Sequence, residues 1–259
     1  MLQQFYPDEY LESTYKIDFD NLYRKGYRGI IFDIDNTMYD YDACNEIAMQ
    51  ALKEYCMSAF SICEETFYET FSKAQQTVKN RTRSDCAANH NRLIRFQCML
   101  DFLHVPFSSY ALKMYHVYWD TLIDVMKPEP GLIDLIKTLQ KKQISIGIGS
   151  DMTAYIQYKK LEKLGVLDAV SQMTTSEETG VEKPAAHFFE VCTEKMKCRP
   201  EEIVFIGDSL RKDVQGACQY GMHGVWYHPK GQSDYPCIGS YEECVKHGNI
   251  YFGENLIIE

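Results

Sequence analysis

The stretch Arg28-Gly-Ile-Ile-Phe-Asp-Ile-Asp-Asn-Thr-Met38 predicts the first strand of a sheet and the site at its end. Apolar side chains run from Ile30 to Phe32 and give way to two aspartates, Asp33 and Asp35. A short apolar run of this kind predicts a strand buried on both faces of a parallel sheet. Asp33 then lies at the carboxyl end of the strand, where open α/β sheets bind their ligands. Taken alone, the same residues also fit a strand followed by an ordinary Asx turn.

The rest of the chain alternates between buried strands and amphipathic helices. Further strands are predicted at residues 144–149, 169–173, 203–207 and 224–227, and helices at 132–139, 154–164, 185–196 and 210–220. Alternation of this kind is typical of a parallel sheet with helices on both faces. The predicted fold is therefore α/β, a doubly wound parallel (Rossmann-like) sheet.

One long segment interrupts this alternation directly after the first strand. Residues 42–125 show helical spacing of apolar side chains and contain a single proline, Pro106. The segment is too long for a normal crossover between parallel strands. We expect an inserted helical subdomain at 42–125, with 1–41 and 126–259 forming the core. Pro128, Pro130 and Gly131 mark the return to the core.

Composition limits the classes of partner. The 259 residues contain 27 Lys plus Arg against 37 Asp plus Glu, a net charge of −10. Nucleic acids and anionic membranes bind positive surfaces, so neither is expected as a partner. No window approaches 18 apolar residues, and the first ten residues do not resemble a secretory signal. The ten cysteines form no C-x-x-C pair. These features predict a cytoplasmic protein with reduced thiols.

Polar residues follow three of the predicted strands and begin one helix. Because the carboxyl ends of parallel strands share one edge of the sheet, we expect these residues to converge. They are Asp33, Asp35, Ser150, Lys183, Asp208 and Asp213. Four carboxylates with one lysine repel each other unless a cation joins them, and an all-oxygen set suits Mg²⁺. Metal and lysine together can accept a phosphate dianion, which one carboxylate can attack while a second transfers protons.

Two of these residues have simpler interpretations. Ser150 is equally suited to cap a helix that begins at Asp151. Lys183, considered without the aspartates, fits a solvated lysine at the end of a helix. Both alternatives remain open from the sequence.

The motifs resemble the four signatures of the haloacid dehalogenase-like (HAD) hydrolase superfamily, in the branch with a helical cap after the first strand. They are Asp33-Ile-Asp35-Asn-Thr37, Ser150 after a buried strand, Lys183 before Pro184, and Gly207-Asp208-Ser209 with Asp213. Their order and spacing match the superfamily over residues 28–228.

The resemblance implies a role for each residue. Asp33 would be the nucleophile and a metal ligand, and Asp35 the general acid/base with its backbone carbonyl also on the metal. Thr37, Ser150 and Lys183 would form the phosphate-binding set, with Thr37 bracing the loop. Asp208 would be a side-chain metal ligand, and Asp213 would ligate the metal or hold its waters.

The expected activity is Mg²⁺-dependent hydrolysis of a small phosphorylated metabolite, either a nucleoside monophosphate or a sugar phosphate. The aspartate at position 35 opposes dehalogenase chemistry, because halide departure needs no acid. A phosphomutase with the same core is the enzymatic alternative. A non-catalytic sensor of a phosphorylated ligand is the alternative from another class. Within the cap, Arg81, Arg83 and Arg92 are candidates for substrate specificity, although a solvated basic face also fits them.

Overall fold

The computed structural model describes residues 26–82, 85–228, 237–246, 249–251 and 257–258. Six parallel strands form the main sheet, in the order β3-β2-β1-β4-β5-β6. Their bounds are β1 Gly29–Phe32, β2 Ser145–Ser150, β3 Gln172–Thr175, β4 Ile203–Gly207, β5 His223–Tyr227 and β6 Cys237–Ile238. A small antiparallel sheet is formed by β7 Val245–Lys246, β8 Asn249–Tyr251 and β9 Ile257–Ile258.

Helices connect and cover these strands. The α-helices are α1 Tyr41–Phe60, α2 Glu64–Arg81, α3 Arg92–Phe102, α4 Phe107–Val125, α5 Leu132–Lys141, α6 Ala154–Lys163, α7 Ser176–Thr179, α8 Ala186–Met196 and α9 Gly216–Tyr220. Short 3-10 helices span Ala87–His90, Leu167–Ala169, Pro200–Glu202 and Tyr241–Glu243. No helix in the described part of the chain combines the length and apolar character needed to cross a membrane.

Both faces of the main sheet are covered, because the side chains of each strand alternate between two apolar cores. Ile30 and Phe32 of β1 belong to the larger core, while Ile31 between them belongs to the smaller one beneath α8. Phe189 of α8 packs edge to face on Phe205 of β4, with ring centroids 5.5 Å apart. The predicted doubly wound α/β fold is confirmed.

Four helices, α1 to α4, occupy the segment between β1 and the return to the core. Asp40 begins α1 by accepting a hydrogen bond from the amide of Ala43 (2.9 Å), as a good N-cap does. The buried side chains of α1 recur every four residues: Cys44, Ala48, Leu52 and Cys56. That spacing gives the helix one apolar stripe. The larger core includes residues of these helices as well as residues of the sheet.

Two predicted elements differ from the structure. The strand predicted at 169–173 is observed at Gln172–Thr175, because a 3-10 turn, Leu167–Ala169, precedes it. The helix predicted at 210–220 begins as a π-helix, Leu210–Gln215, before α9. The carbonyl of Ser209 accepts from the amides of both Asp213 (2.9 Å) and Val214 (3.4 Å). π-Helical turns of this kind are frequent at functional sites.

Two phenylalanines should contribute very differently to the stability of the fold, because one is buried in the sheet and the other is exposed. Phe205 is fully buried in β4, whereas Phe107 at the start of α4 is 54% exposed. Phe205→Ala should lower the free energy of unfolding by about 3–5 kcal/mol, because it leaves a cavity in a packed core. Phe107→Ala, the matched control, should change it by no more than about 0.5 kcal/mol. Urea denaturation measures both. Equal losses would contradict the assignment of Phe205 to the central core.

Candidate active site

The functional candidates meet at the carboxyl edge of the sheet. β1 lies between β2 and β4, so Asp33 after β1 is adjacent to Ser150 at the end of β2 and to Asp208 after β4. A cavity of about 220 Å³ is lined by residues of this edge and of the helical segment. This volume lies below the range of about 300–1,000 Å³ that is usual for pockets binding drug-sized ligands. A ligand of this cavity must therefore be small. Its predicted residues are Asp33, Asp35, Ser150, Lys183, Asp208, Asp213 and Arg92.

The ammonium of Lys183 contacts two of the carboxylates, those of Asp33 and Asp213. Its Nζ donates to Asp33 Oδ1 and to the carbonyl of Gly149, both at 2.9 Å, and lies 2.7 Å from Asp213 Oδ1. The side chain is only 3% exposed. Burial opposes its charge, but Asp213 and Asp33 outweigh that effect and raise the pKa of Lys183 well above its ordinary value. The interpretation of Lys183 as a solvated lysine is therefore wrong.

Asp33, Asp208 and Asp213 form a compact carboxylate cluster. One oxygen from each lies within 4.8 Å of the others. The amide of Ser209 donates to Asp213 Oδ2 at 2.9 Å. Gly207 makes this approach possible, because a Cβ at that position would collide with the side chain of Asp213. Three clustered carboxylates are the oxygen donors that a hard divalent cation requires.

The cluster resists ionisation in the absence of a cation. Burial raises the pKa of Asp208 to about 8, and repulsion from Asp33 and Asp213 adds to the effect. Burial also raises the pKa of Asp33 to about 6, with Lys183 opposing the rise. A divalent cation would reverse this balance, since it stabilises the ionised carboxylates. The donor set therefore fits Mg²⁺.

Asp35 stands apart from that cluster. Its Oδ1 accepts from Lys160 Nζ (2.6 Å) and from the hydroxyl of Tyr39 (2.7 Å), and the side chain is 27% exposed at the cavity. Lys160 is fully buried. Its ammonium lies 5.4–5.7 Å from the ring centroids of Tyr39, Tyr41 and Trp119. The carboxylate of Asp35 is thus held in one orientation by groups from α6 and the loop before α1.

Ser150 and Thr37 differ from each other in placement. Ser150 lines the cavity, and its Oγ accepts from Gln157 Nε2 at 2.7 Å. It does not cap a helix, because α6 begins at Ala154 with Thr153 in the N-cap position. Thr37 is fully buried and does not line the cavity. Its carbonyl accepts from the hydroxyl of Tyr241 at 3.0 Å. Thr37 thus braces the loop through its backbone, while its side-chain oxygen has no hydrogen-bond partner among the described residues, and its part in phosphate binding stays a prediction.

The three candidate arginines also separate. Arg92 at the start of α3 lines the cavity. Arg81 lies exposed at the end of α2 and lines a different, smaller depression with Ile94 and Asp101. Arg83 lies outside the described residues. Of the two candidate arginines that the structure describes, Arg92 is the one placed to meet a ligand that also meets the aspartates.

Sequence reasoning missed several charged residues of the cavity wall, among them His90, Arg95, Asp151 and Lys212, and missed Lys160 behind Asp35. Lys160 had a signal: it shares the buried face of α6 with Ile156, Gln157 and Leu161. A lysine on an apolar stripe is unusual enough to mark a buried ion pair.

Contacts between the helical segment and the core close one side of the cavity. His90 Nε2 lies 3.0 Å from Glu182 Oε1, and the amide of Glu182 donates to the carbonyl of Asp85 at 3.1 Å. Lys212 donates to both Glu182 (3.0 Å) and Asp151 (2.8 Å). Glu182, the residue before Lys183, therefore connects the helical segment to the core.

The fold and site define the class: a doubly wound α/β protein with a helical insert after the first strand and an acidic site at the sheet edge. The chain belongs to the haloacid dehalogenase-like hydrolases, whose family profile matches residues 30–227. The resemblance in the sequence motifs is thereby confirmed.

Named relatives and solved structures agree with this assignment. The chain is 34% identical over 208 residues to a ribulose-1,5-bisphosphate 5-phosphatase of Halopiger xanaduensis, covering 79% of this chain and 86% of that one. It is 28% identical to a glyceraldehyde 3-phosphate phosphatase of Methanopyrus kandleri, covering 75% and 81%. The structure of the HAD-hydrolase YfnB of Bacillus subtilis, solved bound to magnesium, has a TM-score of 0.64 at 23% identity and covers 85% of this chain and 97% of that one.

The raised pKa values predict how Mg²⁺ stabilises the protein. An unfolded aspartate has a pKa of about 3.9, so the folded metal-free protein holds protons that the unfolded chain releases. Its stability should therefore fall as pH rises from about 4 to 8. Mg²⁺ binds the ionised carboxylates and should raise the melting temperature more at pH 8 than at pH 6, by about 5–10 °C at saturation.

Differential scanning calorimetry with and without MgCl₂ at pH 6, 7 and 8 measures this effect. Asp208→Asn should abolish most of the shift, whereas Asp134→Asn on the exposed face of α5 should keep it. A Mg²⁺-induced shift that is equal at all three pH values would contradict the role of the raised carboxylates.

Proposed function

We propose that this protein is a Mg²⁺-dependent phosphatase that hydrolyses a small phosphate monoester through an aspartyl-phosphate on Asp33. The placement of Asp33 carries the proposal: its carboxylate sits in the cavity, against Lys183 and beside two further carboxylates. The names of the two relatives, both sugar-phosphate phosphatases, support a phosphorylated metabolite as the substrate.

Each step of the reaction has a residue suited to it. The carboxylate of Asp33 attacks phosphorus, and the ester oxygen leaves with the electron pair of the P–O bond. Asp35, in its acid form, donates a proton to that oxygen and then, as a base, takes a proton from the attacking water. Water adds to phosphorus, the bond to Asp33 breaks, and inorganic phosphate is released. Lys183 and Ser150 face the phosphoryl oxygens.

Asp33, Asp208 and Asp213 would hold the Mg²⁺, with the backbone carbonyl of Asp35 as the remaining protein ligand that the family resemblance implies. The ion supplies positive charge that offsets the carboxylates and the phosphate dianion. Residues 42–125 act in this proposal as a cap over the core, formed by 1–41 and 126–259. The cap excludes water from the reacting phosphate, which favours transfer to Asp33.

The covalent role of Asp33 predicts the effect of one isosteric change. Asp33→Asn should reduce kcat to about a thousandth of the wild-type value or less, because the nucleophile is removed while its shape is kept. Phosphate release from p-nitrophenyl phosphate in MgCl₂ measures this rate. Asp134→Asn is the matched control and should keep full activity. Retention of most activity by a folded Asp33→Asn protein would exclude the aspartyl-phosphate. A sugar phosphate that the wild-type protein isomerises without phosphate release would favour the phosphomutase.

The acid role of Asp35 predicts dependence on the leaving group. Asp35→Asn should slow hydrolysis of an alkyl phosphate far more than that of an aryl phosphate, whose leaving oxygen needs less protonation. This change also leaves the buried ammonium of Lys160 without its carboxylate, which is costly. The double variant Asp35→Asn/Lys160→Met removes that side effect. Single-turnover rates of both variants on both substrates make the measurement. Equal slowing of the two substrates would show that Asp35 acts through structure or metal binding instead.

A further inference from the structure

The charges at the core end of the cavity are already matched with each other. Lys183 is paired with Asp33 and Asp213, and Lys212 is paired with Asp151 and Glu182. Acidic groups outnumber the lysines there, which leaves room for a metal ion together with one phosphate dianion. None of these lysines is free for a second anion.

Arg92 differs because its partners are all neutral. Its Nη2 donates to the hydroxyls of Tyr41 (2.8 Å) and Tyr118 (2.9 Å) and to Asn45 Oδ1 (3.2 Å). The guanidinium also lies 4.6 Å from the centroid of the Tyr118 ring. Such partners fix the orientation of a guanidinium but leave its positive charge uncompensated. The donors on Nε and Nη1 make no hydrogen bond to a described residue.

Arg95, one turn further along α3, also carries a positive charge with no carboxylate partner among the described residues. The residue is 7% exposed, its guanidinium donates to the carbonyl of Asn89, and its buried Nε has no acceptor in the described parts of the chain. Burial, together with the charge of Arg92, lowers the pKa of Arg95 to about 10. Two like charges held side by side at the cavity wall are costly unless an anion joins them. No described carboxylate is within ion-pair distance of either arginine.

We infer that the substrate carries a second anionic group, bound by Arg92 and Arg95, while its reacting phosphate lies at Asp33. This inference rests on the proposed phosphatase function and specifies its substrate class: a bisphosphate or a phosphorylated acid. A carboxylate or a second phosphate supplies the acceptor oxygens that a guanidinium fork binds best. The small cavity requires only a few atoms between the two anions.

Matched substrate pairs test the inference directly. 3-Phosphoglycerate and glycerol 3-phosphate differ in a carboxylate against a neutral alcohol, and ribulose 1,5-bisphosphate and ribulose 5-phosphate differ in a second phosphate. In at least one pair, kcat/KM of the wild-type protein should be about ten- to a hundredfold higher for the member with two anions, the usual worth of charged hydrogen bonds. The pair that shows the preference identifies the anion as carboxylate or phosphate.

Variants then assign the preference to the two arginines. Arg92→Met and Arg95→Met should each reduce the kcat/KM ratio within the preferred pair by about tenfold or more. Arg81→Ala, an exposed arginine of the same helical segment, should leave the ratio at its wild-type value. Arg95→Lys keeps the charge and should keep part of the preference, so it serves if a methionine variant does not fold.

The outcomes separate this inference from the proposed function. Wild-type protein that releases phosphate equally from both members of both pairs, or arginine variants that keep the wild-type ratio, would overturn the inference and leave the phosphatase standing. Wild-type protein that releases no phosphate from any of these substrates or from p-nitrophenyl phosphate in MgCl₂ would instead overturn the proposed function.

Discussion

The structure depends on the burial of several carboxylates at one edge of a parallel sheet. Asp33 follows β1, whereas Asp208 and Asp213 follow β4 much later in the sequence, and the mutual repulsion of the three carboxylates opposes the fold that unites them. Lys183 offsets part of that cost through its contacts with Asp33 and Asp213. Gly207 supplies the space that Asp213 needs. The edge of the sheet thus holds carboxylates whose mutual repulsion is relieved when a cation binds, and the same cation can bind a phosphate.

Much of the fold and the central part of the site were predictable from sequence. Buried parallel strands are apolar throughout, so the local sequence is enough to predict strands at Ile30–Phe32 and Ile203–Ile206. Each strand is followed by an aspartate of the predicted site, Asp33 or Asp208. Strand order then places Asp33 beside Asp208 without knowledge of side-chain contacts. Asp35 and Ser150 also reach the predicted cavity.

What sequence could not predict depends on tertiary partners. Lys160 is buried against three aromatic rings and Asp35, which come from two other parts of the chain, residues 35–41 and α4. Arg95 in the first turn of α3 lines the cavity, whereas Arg81 at the end of α2 is exposed, and the sequence around the two arginines does not distinguish these placements. The π-helical turn after Ser209 has no distinctive composition. In the structure, Asp213 lies within this turn, and its carboxylate accepts from the amide of Ser209. The capping interpretation of Ser150 required a helix that begins at Asp151, whereas the helix begins at Ala154, as the apolar spacing predicted.

The two ends of the helical segment are joined to each other. The amide of Glu129, just beyond α4, donates to the carbonyl of Met38, just before α1, at 2.9 Å. The carboxylate of Glu129 also accepts from the hydroxyl of Tyr227 in β5. The helical segment therefore leaves the core and returns to it at neighbouring points, so its length does not determine the strand order. A helical segment of another length or sequence can therefore connect Met38 to Glu129 without changing the strand order. The three clustered aspartates would be retained, because all of them come from the core.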